Sequence, residues 1–153
     1  MGEEKKQVQL TEEQLIQIAQ AEENELMNKK AIITKMAAIL NETITTKETI
    51  QELKTAKGKL QIAIGATIII EVNAENTKTC KRGFAENAYK EETMDETIEW
   101  LGKKEEQIKK QLAEVQKEAA ASSTRLTNYV GILKQIESGK KKIRNSIPVS
   151  ISK

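Results

Sequence analysis

Hydrophobic side chains recur every three or four residues in two long stretches, Leu15–Leu53 and Ile98–Ile143. A 3,4 spacing is typical of a coiled-coil seam, because it places the apolar residues on one face of a helix. Thr11 and Gln14 form a predicted capping box before the first stretch, and Gly58 follows it, so we expect a helix over about residues 11–57. The apolar seam positions of this helix are Leu15, Ile18, Ile32, Met36, Ile39, Ile50 and Leu53, with polar residues between them.

The second stretch has the more regular seam. Asp95 or Thr93 is the expected N-cap, and Pro148 cannot continue a helix. We therefore expect a helix over about residues 95–143, with possible fraying at Ser138-Gly139 and a tail of residues 144–153. Its apolar seam positions are Ile98, Leu101, Ile108, Leu112, Val115, Ala119, Leu126, Tyr129, Leu133, Ile136 and Ile143, and only Glu105, Ser122 and Lys140 interrupt the series.

The segment between the helices is predicted to begin with a tight β-hairpin. Runs rich in β-branched residues, Leu60–Ile64 and Thr67–Val72, flank Gly65-Ala66, a pattern typical of such a hairpin. An isolated hairpin is only marginally stable in water, so its apolar side chains need strands from other subunits. The residues expected to mediate this oligomerisation are Ile62, Ile64, Gly65, Ile68, Ile69, Ile70 and Val72.

A second hairpin is expected from Thr77–Lys81 and Ala85–Lys90, with its turn at Arg82-Gly83-Phe84. Its strands are more polar and basic than those of the first hairpin, which suits an edge or an exposed face. The two hairpins are separated by Asn73–Asn76, which has the composition of a turn.

These elements predict an α+β fold. Neither long helix can bury its seam alone, so we expect the chain to fold back on itself as a long antiparallel coiled-coil hairpin. The two β-hairpins then lie at the bend, where they can pair with strands of other chains. Such a molecule is an assembly subunit and does not resemble an enzyme.

Composition limits the chemistry that the chain can perform. It contains no histidine, which is the commonest general base and metal ligand, and a single cysteine, Cys80. One cysteine allows neither an internal disulfide nor a thiolate metal cluster. No phosphate-binding glycine pattern is present. The sequence therefore predicts no enzymatic activity, no cofactor and no metal site.

The charge distribution and the hydropathy of the chain limit its predicted partners and its predicted cellular location. The 25 basic and 23 acidic residues interleave along the helices, as on a solvated coiled-coil surface. The longest apolar run, Ile62–Ile70, is far shorter than the roughly 20 residues of a membrane helix. Residues 1–6 show no apolar segment of a signal peptide. We expect a soluble cytoplasmic protein without a specific nucleic-acid or membrane partner.

Apolar residues near both ends of the predicted coiled coil are candidates for a binding surface. Seam packing explains Leu15, Ile18, Leu133 and Ile136 equally well, whereas Ile16 and residues 147–151 fall outside the seam. Apolar side chains left near water mark a binding surface, and adaptable aliphatic side chains can hold varied unfolded chains. The full set of candidates for this client-binding role is Leu10, Leu15, Ile16, Ile18, Leu133, Ile136, Ile143, Ile147, Val149 and Ile151.

Over roughly residues 10–137 the chain resembles the alpha class of prefoldin subunits, which has two hairpins between its long helices where the beta class has one. Ile62–Ala66 is similar to the family's first turn of the VPLGAG type, and Ile68–Val72 to the strand that follows. Ala88–Glu91 resembles its final strand, and Met94–Leu101 its EAIxFL-type helix start. The polar third strand, Thr77–Arg82, departs from the family's usually apolar and glycine-rich one.

The resemblance implies a molecular chaperone. Residues 1–153 would form a single prefoldin-like subunit whose hairpins assemble into a β-barrel-like body, as a hetero-hexamer with beta-class subunits or with copies of itself. It would act as an ATP-independent holdase that grips unfolded client proteins at the coiled-coil tips and passes them to a group II chaperonin. An archaeal source also follows from the resemblance to archaeal-type subunits.

Two alternatives remain open at the sequence level. The first is a structural scaffold, a homo-oligomeric or filament-forming coiled coil similar to gamma-prefoldin. The second makes Lys140–Arg144 a basic patch for nucleic acid or membrane surfaces, although four cations would give mostly unspecific, salt-dependent attraction. The adjoining apolar tail competes for the same role through client or chaperonin contact.

Overall fold

A computed structural model describes residues 10–64, 66–76 and 78–146 of the chain. The predicted order of a long helix, two β-hairpins and a second long helix is confirmed. The second helix passes Gly139 without a break and extends beyond its predicted end at residue 143. In chain order the elements are α1 (Glu12–Thr55), β1 (Lys59–Ile64), β2 (Ile68–Asn73), a 3-10 turn (Ala74–Asn76), β3 (Thr79–Ala85), β4 (Ala88–Thr93) and α2 (Met94–Ser146).

The chain divides into two compact units. The tip unit contains residues up to Ile33 together with residues from Glu114 onward. The hairpin unit is Thr34–Ala113 and includes all four strands. Both units are built on paired segments of α1 and α2.

Cross-helix ion pairs show that α1 and α2 run antiparallel within each unit. In the tip unit, Glu12 in the first turn of α1 pairs with Lys140 near the end of α2. In the hairpin unit, Lys54 in the last turn of α1 pairs with Asp95 in the first turn of α2. The predicted fold, an antiparallel coiled-coil hairpin that carries two β-hairpins, is confirmed.

The start of each helix is fixed by a threonine cap. The Thr11 backbone N–H donates to Gln14 Oε1 at 2.9 Å, and the Gln14 N–H donates to Thr11 Oγ1 at 3.2 Å. This is the predicted capping box, which satisfies N–H groups that have no partner inside the helix. At the start of α2 the Glu96 N–H donates to Thr93 Oγ1 at 3.2 Å, so Thr93 rather than Asp95 is the N-cap.

The seam of α1 has a different phase from the predicted one. Its buried residues include Leu15, Ala19, Leu26 and Ile50, and Ile33 and Leu40 are half-buried. Counted from Leu15, the seam residues of the structure therefore follow one another after four and then three residues, instead of after three and then four as predicted. The predicted seam residues Ile32 and Ile39 are each 46% exposed. The physical reason is that apolar residues are adjacent at Ile32-Ile33 and Ile39-Leu40, so that periodicity alone does not select one of them.

The predicted seam of α2 is confirmed over most of its length, with Leu101, Ile108 and Ala119 buried. Near the end of the helix the half-buried residue is Gly139, whereas Lys140 is exposed. The polar interruptions at Glu105 and Ser122 are also buried. Each of the two is compensated by a polar residue of α1.

Glu105 lies in the seam of the hairpin unit and forms an ion pair with Lys47 of α1. Its second carboxylate oxygen accepts a hydrogen bond from Lys109 Nζ at 2.6 Å. A buried carboxylate needs such partners, because an unpaired charge in the seam would carry a large desolvation cost.

Ser122 lies in the seam of the tip unit and is fully buried. Its hydroxyl donates to Glu22 Oε1 of α1. Arg125 donates to the same carboxylate, with Nη2 2.8 Å from Oε1 and Nε 3.2 Å from Oε2. The Arg125 and Ser122 hydrogen bonds hold the pKa of the Glu22 carboxyl below its usual range. The contacts of Glu22 with Ser122 and Arg125 fix the alignment of α1 and α2 along their axes within the tip unit.

The first hairpin has the predicted form. β1 and β2 are antiparallel, with Ile62 opposite Ile70 and Leu60 opposite Val72. It begins at Gly58, which lies outside α1 at φ +84° and whose carbonyl accepts the Ala74 N–H at 2.8 Å. Glycine suits this position because its missing Cβ makes a positive φ inexpensive.

The predicted turn of the second hairpin was wrong. β3 continues through Arg82-Gly83-Phe84 to Ala85, and the turn is formed by Glu86-Asn87, with Asn87 at φ 59°. Gly83 pairs with Tyr89 and Ala85 with Ala88, a register shift that leaves Phe84 as an extra residue in β3. Asparagine tolerates the left-handed region of backbone conformation. Asn87 can therefore form the turn that was predicted around Gly83.

We predict that folding stability decreases at acid pH through three carboxylates, of which two are buried and one is half-buried. The pKa of Glu22, Glu92 and Glu105 lies below the ordinary value of 4.5, through hydrogen bonds led by Arg125, Arg82 and Lys109 respectively. The unfolded chain therefore binds more protons, so this stabilisation is complete above pH 4.5 and disappears as the pH falls through the lower folded values. Thermal unfolding followed by circular dichroism across this range measures the effect.

The matched variants for this measurement are Glu22→Gln and Glu23→Gln, because Glu23 is the exposed neighbour of Glu22. Glu22→Gln should lower the unfolding midpoint at neutral pH, and its difference from the wild type should shrink in acid. An equal pH profile for the wild type and Glu22→Gln would contradict the prediction.

Candidate binding surfaces

The structure separates the predicted client-binding residues into exposed and buried sets. Leu10 is 50% exposed and Ile16 39%, as expected for a binding surface, whereas Leu15 is buried in the seam. Ile18, Leu133 and Ile136 are half-buried, and Ile143 lies in α2. Ile147, Val149 and Ile151 lie outside the described residues.

A groove between the start of α1 and the end of α2 brings part of this set together. It encloses about 390 Å³, and its apolar surface is formed by Ile16 of α1 with Val130 and Leu133 of α2. We call it the tip groove; its polar rim consists of Glu12, Lys134, Glu137 and Lys140. Sequence reasoning missed Val130, although it directly follows the seam residue Tyr129, just as Ile16 directly follows Leu15. The signal that could have identified Val130 is its position as an apolar residue directly after a seam residue.

Ion pairs occupy most of the rim of the tip groove. Glu12 of α1 forms an ion pair with Lys140 of α2. Within α2, Glu137 Oε1 lies 3.6 Å from Lys141 Nζ. Both pairs are largely exposed, so each contributes little to folding stability. These ion pairs fix the positions of the charges around the apolar floor of the groove, which is formed by Ile16, Val130 and Leu133.

The first hairpin presents an apolar face that no other described segment of the chain covers. Ile62 and Ile70 are opposite each other on this face, and Ile68 follows toward the turn. Exposure rises along it, from half-buried Val72 to Ile68 at 58%. These residues belong to the predicted oligomerisation set.

The opposite face of the first hairpin is mainly polar. Ile69 lies there, 65% exposed, beside the Lys59–Glu71 ion pair at 2.6 Å. The hairpin thus has one apolar and one polar face, with Ile69 as the exception. Of the remaining predicted residues, Ile64 lies in β1 and Gly65 lies outside the described residues.

Each two-stranded sheet also has unpaired edges. β1 pairs with β2 and β3 with β4, and no further strand joins either sheet within the described residues. A strand edge presents free N–H and C=O groups that can pair with another chain. The first hairpin therefore combines main-chain and apolar features of an assembly surface.

The inner face of the second hairpin is anchored to the start of α2. Arg82 donates to buried Glu92 through Nε at 2.7 Å and Nη2 at 3.4 Å. Thr97 of α2 donates to the same carboxylate at 3.1 Å. The Arg82 guanidinium carbon lies 4.5 Å from the centre of the Trp100 ring, within range of a cation–π interaction. The basic third strand was expected at an edge or on an exposed face; β3 is an edge strand of a two-stranded sheet, and its Arg82 is half-buried in this network.

Beneath this network lies the apolar core of the hairpin unit, formed by Ile50, Met94 and Leu101. Cys80 of β3 packs against it together with Leu53, Ile98 and Trp100. The contact places the single cysteine among apolar side chains, where it serves as packing. Phe84 of β3 and Tyr89 of β4 are largely exposed.

Within the described part of the chain, no group of three or more Cys, Asp or Glu residues is arranged to hold a metal ion. No described helix contains a stretch long and apolar enough to span a membrane.

Comparison with known proteins agrees with this architecture. The family model described as Prefoldin subunit matches residues 22–139. A filamentous PFD from Methanocaldococcus jannaschii, solved by cryo-electron microscopy, is similar in structure with a TM-score of 0.60. The match covers 76% of this chain and 96% of that one at 13% sequence identity, which supports a shared fold. No curated protein sequence shows significant similarity to the chain.

We predict that Arg82 fixes the second hairpin to α2. In Arg82→Gln the buried Glu92 carboxylate loses its charged partner, which is strongly destabilising when the other charge stays buried. The unfolding midpoint should fall by several degrees, and fluorescence of Trp100, the single tryptophan, should change. Lys81→Gln is the matched control, because Lys81 is the exposed neighbour of Arg82 in β3. Equal effects of both substitutions would contradict an anchoring role.

Proposed function

The chain belongs to the prefoldin family, and we propose that it is a chaperone subunit, an ATP-independent holdase that binds non-native proteins at its tip unit. The observation that carries this proposal is the tip groove, where Ile16 and Val130 are partly exposed across from each other on two helices. Exposed apolar surface bounded by charges is suited to bind apolar segments of unfolded chains. The action requires neither catalysis nor a cofactor.

One tip groove supports only weak binding. Burying about 100 Å² of apolar client surface would contribute roughly 2.5 kcal/mol, before the entropy lost on binding is subtracted. Several grooves in one assembly would bind different segments of the same client, and the effective concentration of the later contacts raises the overall affinity. Weak individual contacts also allow release, as a transfer to a group II chaperonin requires.

Assembly would proceed through the hairpins. The apolar face of Ile62, Ile68 and Ile70 and the free strand edges favour pairing with strands of other subunits into a β-barrel-like body. Two hairpins correspond to the alpha class, whose partners would be beta-class subunits in a hetero-hexamer or further copies of this chain. We assign the whole chain to one such subunit in the cytoplasm of an archaeon.

The second candidate function is a structural scaffold that forms filaments. One similar solved structure is a filamentous PFD, and Ile69 adds exposed apolar surface to the second face of the first hairpin. A scaffold depends mainly on its hairpins, whereas a holdase also depends on its tip. This difference separates the two candidates by experiment.

We predict that Ile68→Lys with Ile70→Lys dissociates the assembly and leaves helix content largely unchanged. The two lysines introduce like charges on the face that must be buried between subunits. Mass from light scattering at micromolar concentration, with circular dichroism, measures the outcome. Ile32→Lys with Ile39→Lys is the matched control, since both isoleucines are exposed on α1 outside the hairpins. A stable monomer of the wild type would refute assembly through the hairpins.

We predict that deletion of residues 1–14 and 140–153 preserves assembly and removes most of the suppression of aggregation of a denatured client. The deletion removes the Glu12–Lys140 pair and the outer apolar segments and leaves all four strands. Light scattering of the aggregating client, with and without ATP, is the measurement. Full protection by the truncated protein, which keeps Ile16, Val130 and Leu133, would show that the outer segments are not needed for client binding. Protection that rises with ATP would contradict the holdase mechanism.

Point variants of the tail refine the same experiment. Client binding by apolar burial predicts a larger loss of protection when Ile147, Val149 and Ile151 become serine than when Lys141 and Lys142 become glutamine. A larger loss of protection from the lysine substitutions than from the apolar ones would indicate that clients bind through charge.

A further inference from the structure

We propose that the tip groove is selective for amphipathic helical segments of its clients, and that it prefers those with a carboxylate beside the apolar stripe. This inference deepens the proposed holdase function and rests on it. It follows from three features of the groove: its length, its lack of a strand edge within the described residues and the distribution of charge on its rim.

The length of the tip groove matches a short helix. Its α2 wall extends from Val130 to Lys140, which at 1.5 Å per residue is about 15 Å, or roughly three helical turns. An amphipathic helix presents apolar residues at i, i+3, i+4 and i+7 over about this distance. Such a helix lying between α1 and α2 would form a local three-helix arrangement, the usual manner in which helices occupy grooves.

Most backbone groups around the tip groove already have partners. The described part of the tip unit contains no strand, and within its helices the N–H groups pair with carbonyls of the preceding turn. At the start of α1, the N–H groups of Thr11, Gln14 and Leu15 are used by the capping box and by the Thr11 carbonyl. Unlike the hairpins, this groove offers no strand edge to a client.

An extended client would therefore leave backbone groups unpaired against the apolar floor. The cost of each buried N–H or C=O without a partner is comparable with what one buried apolar side chain contributes. A helical client pairs its own backbone internally and buries only side chains. Side-chain recognition without main-chain pairing thus favours helices.

Rim charges add a second element of selectivity. The two acidic residues, Glu12 and Glu137, are paired with Lys140 and Lys141. Among the described residues Lys134 forms no ion pair, and it lies beside the apolar floor. A client carboxylate next to the apolar stripe would pair with Lys134.

The test uses fluorescein-labelled peptides of about 15 residues and the full-length assembled protein, with anisotropy as the readout. The first peptide is an amphipathic helix with leucines at i, i+3, i+4 and i+7 and glutamates beside them. The second has the same composition with leucine and polar residues alternating, and the third is the first peptide with two central residues of opposite chirality. We expect the first to bind about tenfold more tightly than the other two, and to gain helical circular dichroism when bound.

Variants locate the binding at the groove. Ile16→Lys and Val130→Lys should each weaken binding of the helical peptide about tenfold. Ile132→Lys is the matched control, because Ile132 is 45% exposed on α2 and does not line the groove. Lys134→Glu should reverse the preference, so that a peptide with lysine in place of glutamate binds better than the glutamate peptide.

The outcomes separate this inference from the proposed function. Equal binding of helical and alternating peptides, with protection of a denatured client still lost in Ile16→Lys, would overturn helix selectivity and leave the holdase function intact. Unchanged protection and unchanged peptide binding in Ile16→Lys and Val130→Lys would overturn both. Equal losses in Ile132→Lys and Ile16→Lys would also overturn the assignment to the groove.

Discussion

The structure depends on polar pairs buried in the seam between α1 and α2. Apolar side chains in a seam pack almost equally well after one helix slides by a heptad, whereas a buried carboxylate has only one place where its partners meet it. Glu22 meets Ser122 and Arg125 in the tip unit, and Glu105 meets Lys47 in the hairpin unit. These pairs contribute little net stability compared with apolar packing, but a register shift would leave charges buried without partners. Their role is to make one alignment of the helices much more stable than its neighbours.

The binding surfaces follow from this alignment. Within the tip unit, the register set by Glu22 brings Ile16 of α1 beside Val130 and Leu133 of α2, and the groove exists only because these residues face each other. Within the hairpin unit, the helix register places the start of α2 so that Thr97 and Trp100 meet β3 and β4. Polar residues that interrupt the apolar seam of the coiled coil thus position the residues of these candidate surfaces.

The sequence predicted the element order, the seam of α2 and the Thr11 cap because each rests on local or periodic signals. It did not predict the phase of α1, since Ile32-Ile33 and Ile39-Leu40 offer two equivalent choices that only the partner helix decides. The turn at Glu86-Asn87 was missed because Gly83 was the stronger turn signal, although Asn87 takes the positive φ. Val130 and the burial of Arg82 depend on tertiary contacts between distant segments, for which the spacing along one helix or strand carries no information.

The unpartnered apolar face of the first hairpin has a consequence for the supply of the subunit in a cell. A copy that has not yet assembled presents Ile62, Ile68 and Ile70 to water, and this is the same kind of surface that marks an unfolded protein. Under the proposed holdase function, such an orphan copy is itself a candidate for capture by the tips of completed assemblies, or for aggregation. Newly made chains would then compete with clients until they find partners, so the rate of synthesis must stay matched to the rate of assembly.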